Sequence, residues 1–390
     1  MSPAINPLVR DLASPHIPEA QGWARAYDGA MGPLINLSQA VPGSPPPPEL
    51  LERLAAAAGA PETARYGAIE GDEPLREAYA ADVSRLYGGR VDTGDVSITT
   101  GCNQAFFAAM MLLARAGDAV ILPQPWYFNH QMTLDMLGLE IRGLPCLPER
   151  GFVPDVGEAE ALIDERVRAL VLVTPNNPTG AVYPPGVIEA FAAMCRRRGI
   201  WLVVDETYRD FMPAGVNRAH GLFADEGWRE GVIQLYSFSK AYAIPGHRLG
   251  ALVADAPIVA QLAKIMDSLQ ICAPRAGQTA VAWAVEALRG WREDNRLEIN
   301  RRSHAFQDAM ADAPGWRIDS IGAYFAYLRH PFDGVPATAV ARALAERRGV
   351  SCLPGSYFGP GQDTHLRIAV ANVAAEALEP LGQRLAGFTP

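Results

Sequence analysis

The chain contains 390 residues, of which 49% are hydrophobic and 20% are charged, and its formal net charge is −9 at pH 7. This is an ordinary globular composition, and the length allows two or three domains. An acidic chain lacks the excess of basic residues that is typical of nucleic-acid-binding proteins, so we expect no nucleic-acid partner. Because no apolar run approaches the roughly 18–20 residues of a membrane helix, we also expect no membrane partner.

The cysteines are too scattered to indicate a disulfide framework or a metal site. No Cys-x-x-Cys pair and no Cys/His cluster with metal-ligand spacing occurs in the sequence. The five cysteines are Cys102, Cys146, Cys195, Cys272 and Cys352. The N-terminus has no charged segment followed by an apolar one, so we expect no signal peptide. These patterns predict a reducing compartment and a cytoplasmic location, with no bound metal.

The first clear break is Pro42–Pro48, which is typical of a stiff, extended connector. We assign residues 1–45 to an N-terminal arm, which we expect to be mostly irregular. An isolated arm could not bury its apolar residues, so we expect it to pack against the C-terminal part of the chain.

Short apolar runs alternate with longer helical patterns over residues 46–275. The runs are rich in Val, Ile and Leu, which is typical of strands that are buried on both faces of a parallel sheet. They are Val96–Thr100, Ala119–Pro123, Glu140–Pro145, Ala169–Thr174, Ile200–Asp205, Val232–Ser237 and Arg248–Ala254. Such alternation predicts an α/β fold, with a doubly wound, mostly parallel seven-stranded sheet sandwiched by helices.

The pattern changes after Pro274. A long helical stretch over residues 277–310 is followed by the strand-like segments WRIDSI, AYFAYL and HLRIAVA, with the helical segment AVARALAERRG among them. We assign residues 276–390 to a smaller α+β domain.

Polar, aromatic and charged residues follow the predicted strands. Ligands of open α/β sheets bind outside the carboxyl ends of the strands, so these groups predict an active site at that edge. The segments after the strands contain Gly101, Cys102, Asn103, Tyr127, His130, Asn177, Asp205, Tyr208, Ser237, Ser239, Lys240 and Arg248. A helix N-terminus with Ser237 and Arg248 suits a phosphate dianion, and an aromatic ring suits stacking on a flat heterocycle. A buried Asp suits a pyridinium nitrogen, and a Lys suits an aldehyde.

Several segments resemble the class I/II aminotransferases, which are fold-type I enzymes that use pyridoxal 5′-phosphate (PLP). SFSKAYAIPGHRLG is similar to the lysine signature of that family, and NNPTG and DETY are similar to two further hallmarks. TTGCNQA, PWYFNH and HLRIA also match in order and spacing. The resemblance extends from Ile35 to Asn372, so it implies both the fold and the cofactor.

The resemblance implies a role for each matching residue. Lys240 would bind PLP as a Schiff base and act as general acid and base, and Asp205 would keep the ring nitrogen protonated. Tyr208 and Asn177 would hydrogen-bond the ring 3-oxygen. Tyr127 would stack on the ring, with Trp126 as the alternative. The phosphate would be held by Gly101, Cys102, Asn103, Ser237, Ser239 and Arg248.

Substrate-binding residues and a dimer are implied in the same way. Arg367 would bind the substrate α-carboxylate as a bidentate fork, with Asn177 nearby. Ala40 stands where the family usually has glycine near that carboxylate, which predicts a slightly different pocket. Tyr66 resembles the tyrosine that reaches the phosphate of the neighbouring subunit, so we expect a homodimer. Arg275 is a candidate second arginine for an acidic side chain.

Simpler structural interpretations remain open for several of these residues. Asn177 could hold the turn before its neighbouring proline, and Arg367 could be a surface residue. His130 could be a packed core histidine or the hydrogen-bond partner of Asp205. A thiol at a helix N-terminus acidifies, but we interpret Cys102 as a small residue chosen for space.

The leading interpretation is an aminotransferase that exchanges an amino group between an amino acid and a 2-oxo acid by a ping-pong mechanism. Another PLP reaction needs the same core residues: a C–S β-lyase, a decarboxylase or a biosynthetic cyclase would fit them equally. A PLP-binding transcriptional regulator is a third possibility. It would need a DNA-binding domain before the PLP domain, and the arm is too short to form one.

Overall fold

The computed structural model describes residues 3–216 and 218–390 of the chain. Its largest sheet has seven strands and confirms the predicted α/β fold. In spatial order the strands are Val96–Thr99, Gly250–Val253, Val232–Ser237, Trp201–Asp205, Val167–Val173, Ala119–Gln124 and Glu140–Pro145. Gly250–Val253 is antiparallel to both of its neighbours, and the other pairs are parallel. The observed strand ends differ from the predicted ones by at most two residues.

Helices cover both faces of this sheet. One core cluster packs Cys102–Leu113 and Ala256–Leu269 on one face, and another packs Pro185–Arg198 on the opposite face. The remaining α-helices are Pro7–Arg10, His16–Arg25, Pro48–Gly59, Glu73–Tyr87, Phe128–Met136, Val156–Ala161, Phe238–Ala241, Arg275–Ala287, Arg289–Met310, Ala337–Arg348 and Leu381–Leu385. Among residues 3–216 and 218–390, no helix combines the length and apolar character needed to cross a membrane.

A second, antiparallel sheet lies in the C-terminal part of the chain. Its strands, in spatial order, are Leu353–Pro354, His365–Ala369, Phe325–Arg329 and Arg317–Gly322. The N-terminal arm contacts this region, because Ile35–Asn36 pairs in parallel with Val350–Ser351.

The arm is mostly irregular, as predicted, but the sequence did not predict the longer helix within it. The arm contains the ten-residue helix His16–Arg25. Its residues Ala20 and Ile17 belong to a small apolar cluster that also includes Phe128 and Phe358. Tertiary packing therefore stabilises a helix that so short a segment would not form by itself.

The helix Arg275–Ala287 packs against the large domain, although the predicted boundary places nearly all of it in the smaller one. Its residues Ala280, Val281 and Ala284 are buried in the core cluster that contains Leu75 of the helix Glu73–Tyr87. We therefore propose that the division between the two domains lies near Leu288 rather than at residue 275.

Candidate functional site

The carboxyl ends of the parallel strands open into a cavity of about 260 Å³. The cavity therefore lies at the edge of the sheet that the sequence indicates. Most of the sequence-predicted site residues line it: Ala40, Cys102, Asn103, Tyr127, Asn177, Asp205, Tyr208, Ser237, Ser239, Lys240, Arg248 and Arg367.

Asp205 is a buried carboxylate at the end of its strand and is held ionised by its neighbours. His130 Nε2 lies 3.2 Å from Asp205 Oδ2, and the backbone N–H of Thr207 donates to Oδ1 at 2.9 Å. Burial raises the pKa of Asp205, but these hydrogen bonds outweigh it, so the pKa lies below its ordinary value. The His130 ring stacks on Phe106 at 3.9 Å, which orients it. His130 is thus both a packed core residue and the hydrogen-bond partner of Asp205.

Lys240 presents an amine that loses its proton easily. The residue follows strand Val232–Ser237 directly, in a short helix, and its Nζ donates to the carbonyl of Ala40. Burial, together with the positive charges of Arg248 and Arg367, lowers the pKa of Lys240 to about 8. This environment favours a nucleophilic neutral amine.

The first turn of the helix Cys102–Leu113 forms a cradle beside Arg248. Gly101 caps this helix with a positive φ of 82°, and a Cβ added to it would collide with Arg248 Nη2. A Cβ on Gly250 would lie 2.7 Å from the backbone N of Cys102. The two glycines therefore let free backbone N–H groups and a guanidinium converge, which suits an anion such as phosphate. Ser237 lines the same cavity.

Cys102 does not behave as an acidic thiol. Burial raises the pKa of Cys102 well above its ordinary value, and the charge of Asp205 raises it further. The interpretation of Cys102 as a small packing residue agrees with this environment.

Arg367 is a buried cation without an anionic partner. Nη1 donates to Asn177 Oδ1 at 3.2 Å, Nη2 donates to the Ser38 carbonyl, and Nε has no partner. Phe325 and Phe358 lie 5.0 and 5.2 Å from the guanidinium. Burial lowers the pKa of Arg367 to about 10. In the described part of the chain no carboxylate lies within ion-pair distance, so Arg367 is suited to bind the carboxylate of a ligand.

Two tyrosines line the cavity beside these charges. Tyr127 faces the cavity, whereas Trp126 is half-buried in the packing of a neighbouring core cluster. The Tyr127 hydroxyl accepts a hydrogen bond from Asn129 Nδ2 at 2.9 Å, and burial raises its pKa to about 12. Tyr208 is buried against Phe325 at 5.0 Å. Tyr127 is therefore better placed than Trp126 for stacking on a flat ligand.

Two of the sequence-predicted residues that do not line the cavity are Arg275 and Tyr66. Arg275 Nε donates to both carboxylate oxygens of Asp72 at 3.1 Å, and its Nη1 donates to the Glu62 carbonyl. Its charge is thus already paired within the chain. Tyr66 is 76% exposed, so its side chain is free to contact another molecule.

The structure adds lining residues that the sequence did not single out, namely Ile17, Gln39, Phe128, Asn129, Val173 and Thr207. Ile17 and Gln39 belong to the N-terminal arm. They do not follow a strand of the large sheet, so the rule that ligands bind at strand ends does not predict them. Thr207 could have been predicted from the sequence, because it lies in the DETY motif two residues after Asp205.

Comparisons with known proteins agree with this geometry. The chain matches the sequence profile of the family described as aminotransferase class I and II over residues 32–385. It is 31% identical to the arginine–pyruvate transaminase of Pseudomonas aeruginosa over 82% of this chain and 81% of that protein. It is 30% identical to the valine–pyruvate aminotransferase of Mycobacterium tuberculosis over 92% of both. The aspartate aminotransferase of Thermus thermophilus with maleate superposes with a TM-score of 0.89 at 26% identity, covering 99% of each chain. The chain therefore belongs to the class I and II aminotransferase family and is a transaminase.

Proposed function

We propose that this chain uses pyridoxal 5′-phosphate to exchange an amino group between an amino acid and a 2-oxo acid in two alternating half-reactions. The observation that carries the proposal is Arg367, a buried cation without a counter-ion in the same cavity as Lys240. A carboxylate-bearing substrate bound by Arg367 would place its amino group near the lysine.

The cavity residues fit the cofactor. When bound, PLP supplies an aldehyde that condenses with amines and a pyridinium ring that accepts electrons. The cradle of Gly101, Gly250 and Arg248 would hold its phosphate, and the Tyr127 ring would stack on its face. Ser237 and Ser239 line the same cavity and would donate hydroxyl hydrogen bonds to the phosphate.

Lys240 would act as nucleophile and as general acid and base. With a pKa of about 8, roughly a quarter of the amine is neutral at pH 7.5, against about 0.1% at the ordinary pKa of 10.5. Lys240 would hold the cofactor through its neutral Nζ, and the same Nζ would move the proton at the substrate α-carbon.

Asp205 and Tyr208 would hold the heterocycle in its reactive state. The ionised carboxylate of Asp205, oriented by His130, would keep a proton on the ring nitrogen by charge pairing. The side chains of Tyr208 and Asn177 would hydrogen-bond the ring 3-oxygen. These roles need an anion at Asp205 and neutral donors at the other two positions.

The active assembly would be a homodimer. Tyr66 supports this proposal, since a tyrosine that is 76% exposed has no packing role within its own chain. Its phenol would reach the phosphate bound by the second copy. Amino acids and 2-oxo acids would be its substrates.

The test is a half-reaction with the PLP-loaded protein and an amino acid alone. We expect the absorbance of the bound cofactor to change to that of the pyridoxamine form, and a 2-oxo acid to restore it. Release of ammonia, sulfide or carbon dioxide without pyridoxamine would instead assign the chain to the lyases or decarboxylases.

A further inference from the structure

The ring of Tyr127 would lie on the face of the cofactor, so its orientation decides how well the two rings stack. The side chain's own torsional preferences do not fix that orientation, because rotation about the Cβ–Cγ bond of a tyrosine is broadly allowed. Tyr127 immediately precedes the helix Phe128–Met136, whose first turn carries two side chains that contact its ring. These two neighbours are Asn129 and His130.

Asn129 holds the outer end of the ring. Its Nδ2 donates to the Tyr127 hydroxyl at 2.9 Å, and both residues line the cavity. The hydroxyl oxygen lies on the long axis of the ring, so this hydrogen bond fixes the direction of that axis. Burial raises the pKa of Tyr127 to about 12, so the acceptor is a neutral phenol near pH 7.5.

His130 limits the rotation of the ring about the same axis. The hydrogen bond at the hydroxyl leaves this rotation free, because the oxygen lies on the axis. The rings of His130 and Tyr127 meet edge-to-face, with centroids 5.2 Å apart and an interplanar angle of 76°, which is a favourable arrangement for aromatic rings. His130 is itself held by Asp205 and Phe106. The axis and the tilt of the Tyr127 ring therefore depend on two different neighbours.

The side-chain amide of Asn129 serves the cavity rather than the helix that carries it. It donates to Tyr127, which precedes the helix, whereas the amide of Gln131 donates to Asp135, one turn along the same helix. Gln131 does not line the cavity. The two amides thus allow an effect on the cavity to be separated from an effect on the helix.

We propose that Asn129 is a positioning residue that holds the Tyr127 ring in its stacking orientation through the phenolic hydroxyl. A ring that is fixed before the cofactor binds loses less conformational freedom on binding, which strengthens the affinity. The inference rests on the proposed use of PLP and adds a residue that acts through Tyr127.

The first experiment measures the dissociation constant of PLP for the wild type, Asn129→Ala, Tyr127→Phe and the double variant. Each single substitution removes the same hydrogen bond, so we expect each to weaken PLP binding about fivefold. The double variant should also lose about fivefold, rather than the roughly 25-fold of two independent effects. Independent effects would show that Asn129 does not act through the Tyr127 hydroxyl and would overturn the proposal.

The second experiment records the visible circular dichroism of the bound cofactor, which reports how its ring is oriented within the protein. We expect Asn129→Ala and Tyr127→Phe to change this signal in the same direction. Gln131→Ala is the matched control, because it removes an amide of the same helix that bonds to Asp135, and it should leave both the signal and the PLP affinity unchanged. An equal change in Gln131→Ala would assign the effect to the helix and refute the positioning role.

The outcomes separate the two levels of the proposal. If the wild-type protein binds no PLP, the proposed function fails and the role of Asn129 fails with it. If PLP binds and the half-reaction proceeds, but Asn129→Ala leaves the PLP affinity and the circular dichroism unchanged, only the positioning role fails.

Discussion

Replacing Arg367 by Lys keeps the positive charge but removes the planar fork. In the structure, Asn177 and Ser38 orient the two terminal nitrogens of the guanidinium in a fully buried site. A single ammonium cannot offer two parallel hydrogen bonds to a carboxylate. Loss of geometry in a buried charged pair costs about 2–3 kcal/mol, which corresponds to about 30- to 160-fold in kcat/KM for amino acids.

The assay is the single half-reaction, followed by cofactor absorbance, with an amino acid and with an amine that lacks the carboxylate. Arg317→Lys is the control, because the Arg317 side chain is 61% exposed, and it should leave both rates unchanged. We expect Arg367→Lys to slow only the amino acid. If it slows the carboxylate-free amine equally, Arg367 has a structural role and the substrate position is wrong.

Three further predictions test other parts of the site. Asp205→Asn keeps the shape but removes the charge, so the protein should fold and bind PLP but lose about 100-fold or more in kcat; near wild-type turnover would exclude Asp205 as the ring partner. Because the pKa of Lys240 is lowered to about 8, its reactive neutral form is lost as pH falls through 8. The rate of PLP incorporation into apoprotein should rise about tenfold from pH 7 to pH 9 and then level off; a continued rise beyond pH 10 would contradict the lowered pKa. Tyr66→Phe would remove the hydrogen bond that we propose to the phosphate of the second copy and should weaken PLP binding about fivefold. A PLP-loaded, active monomer in sedimentation would refute the shared site.

The sequence predicted the large sheet well because its strands are buried on both faces. Continuous apolar runs such as Val232–Ser237 predict buried strands of a parallel sheet when helical segments separate them. In this topology the carboxyl ends of the parallel strands lie at one edge of the sheet. Asp205 and Lys240 both follow such strands, so the sequence alone predicts that they share a cavity.

The parts that the sequence predicted less well depend on long-range packing. The helix His16–Arg25 is stabilised by contacts with residues such as Phe358, which are distant in the chain. Gln39 lines the cavity, and the strand Ile35–Asn36 that precedes it pairs with Val350–Ser351, which is distant in the chain. The sequence offered Arg275 as a candidate second arginine for an acidic side chain, and only the fold shows that Asp72 pairs with it.

The most direct test of the account is covalent labelling of the PLP-loaded protein. Borohydride reduction fixes the cofactor to the amine that carries it, and peptide mapping then identifies the residue. We predict one pyridoxyl group, on Lys240, whose pKa of about 8 favours the neutral amine. A label on Lys264, the chain's only other lysine, or no label at all, would contradict the central claim.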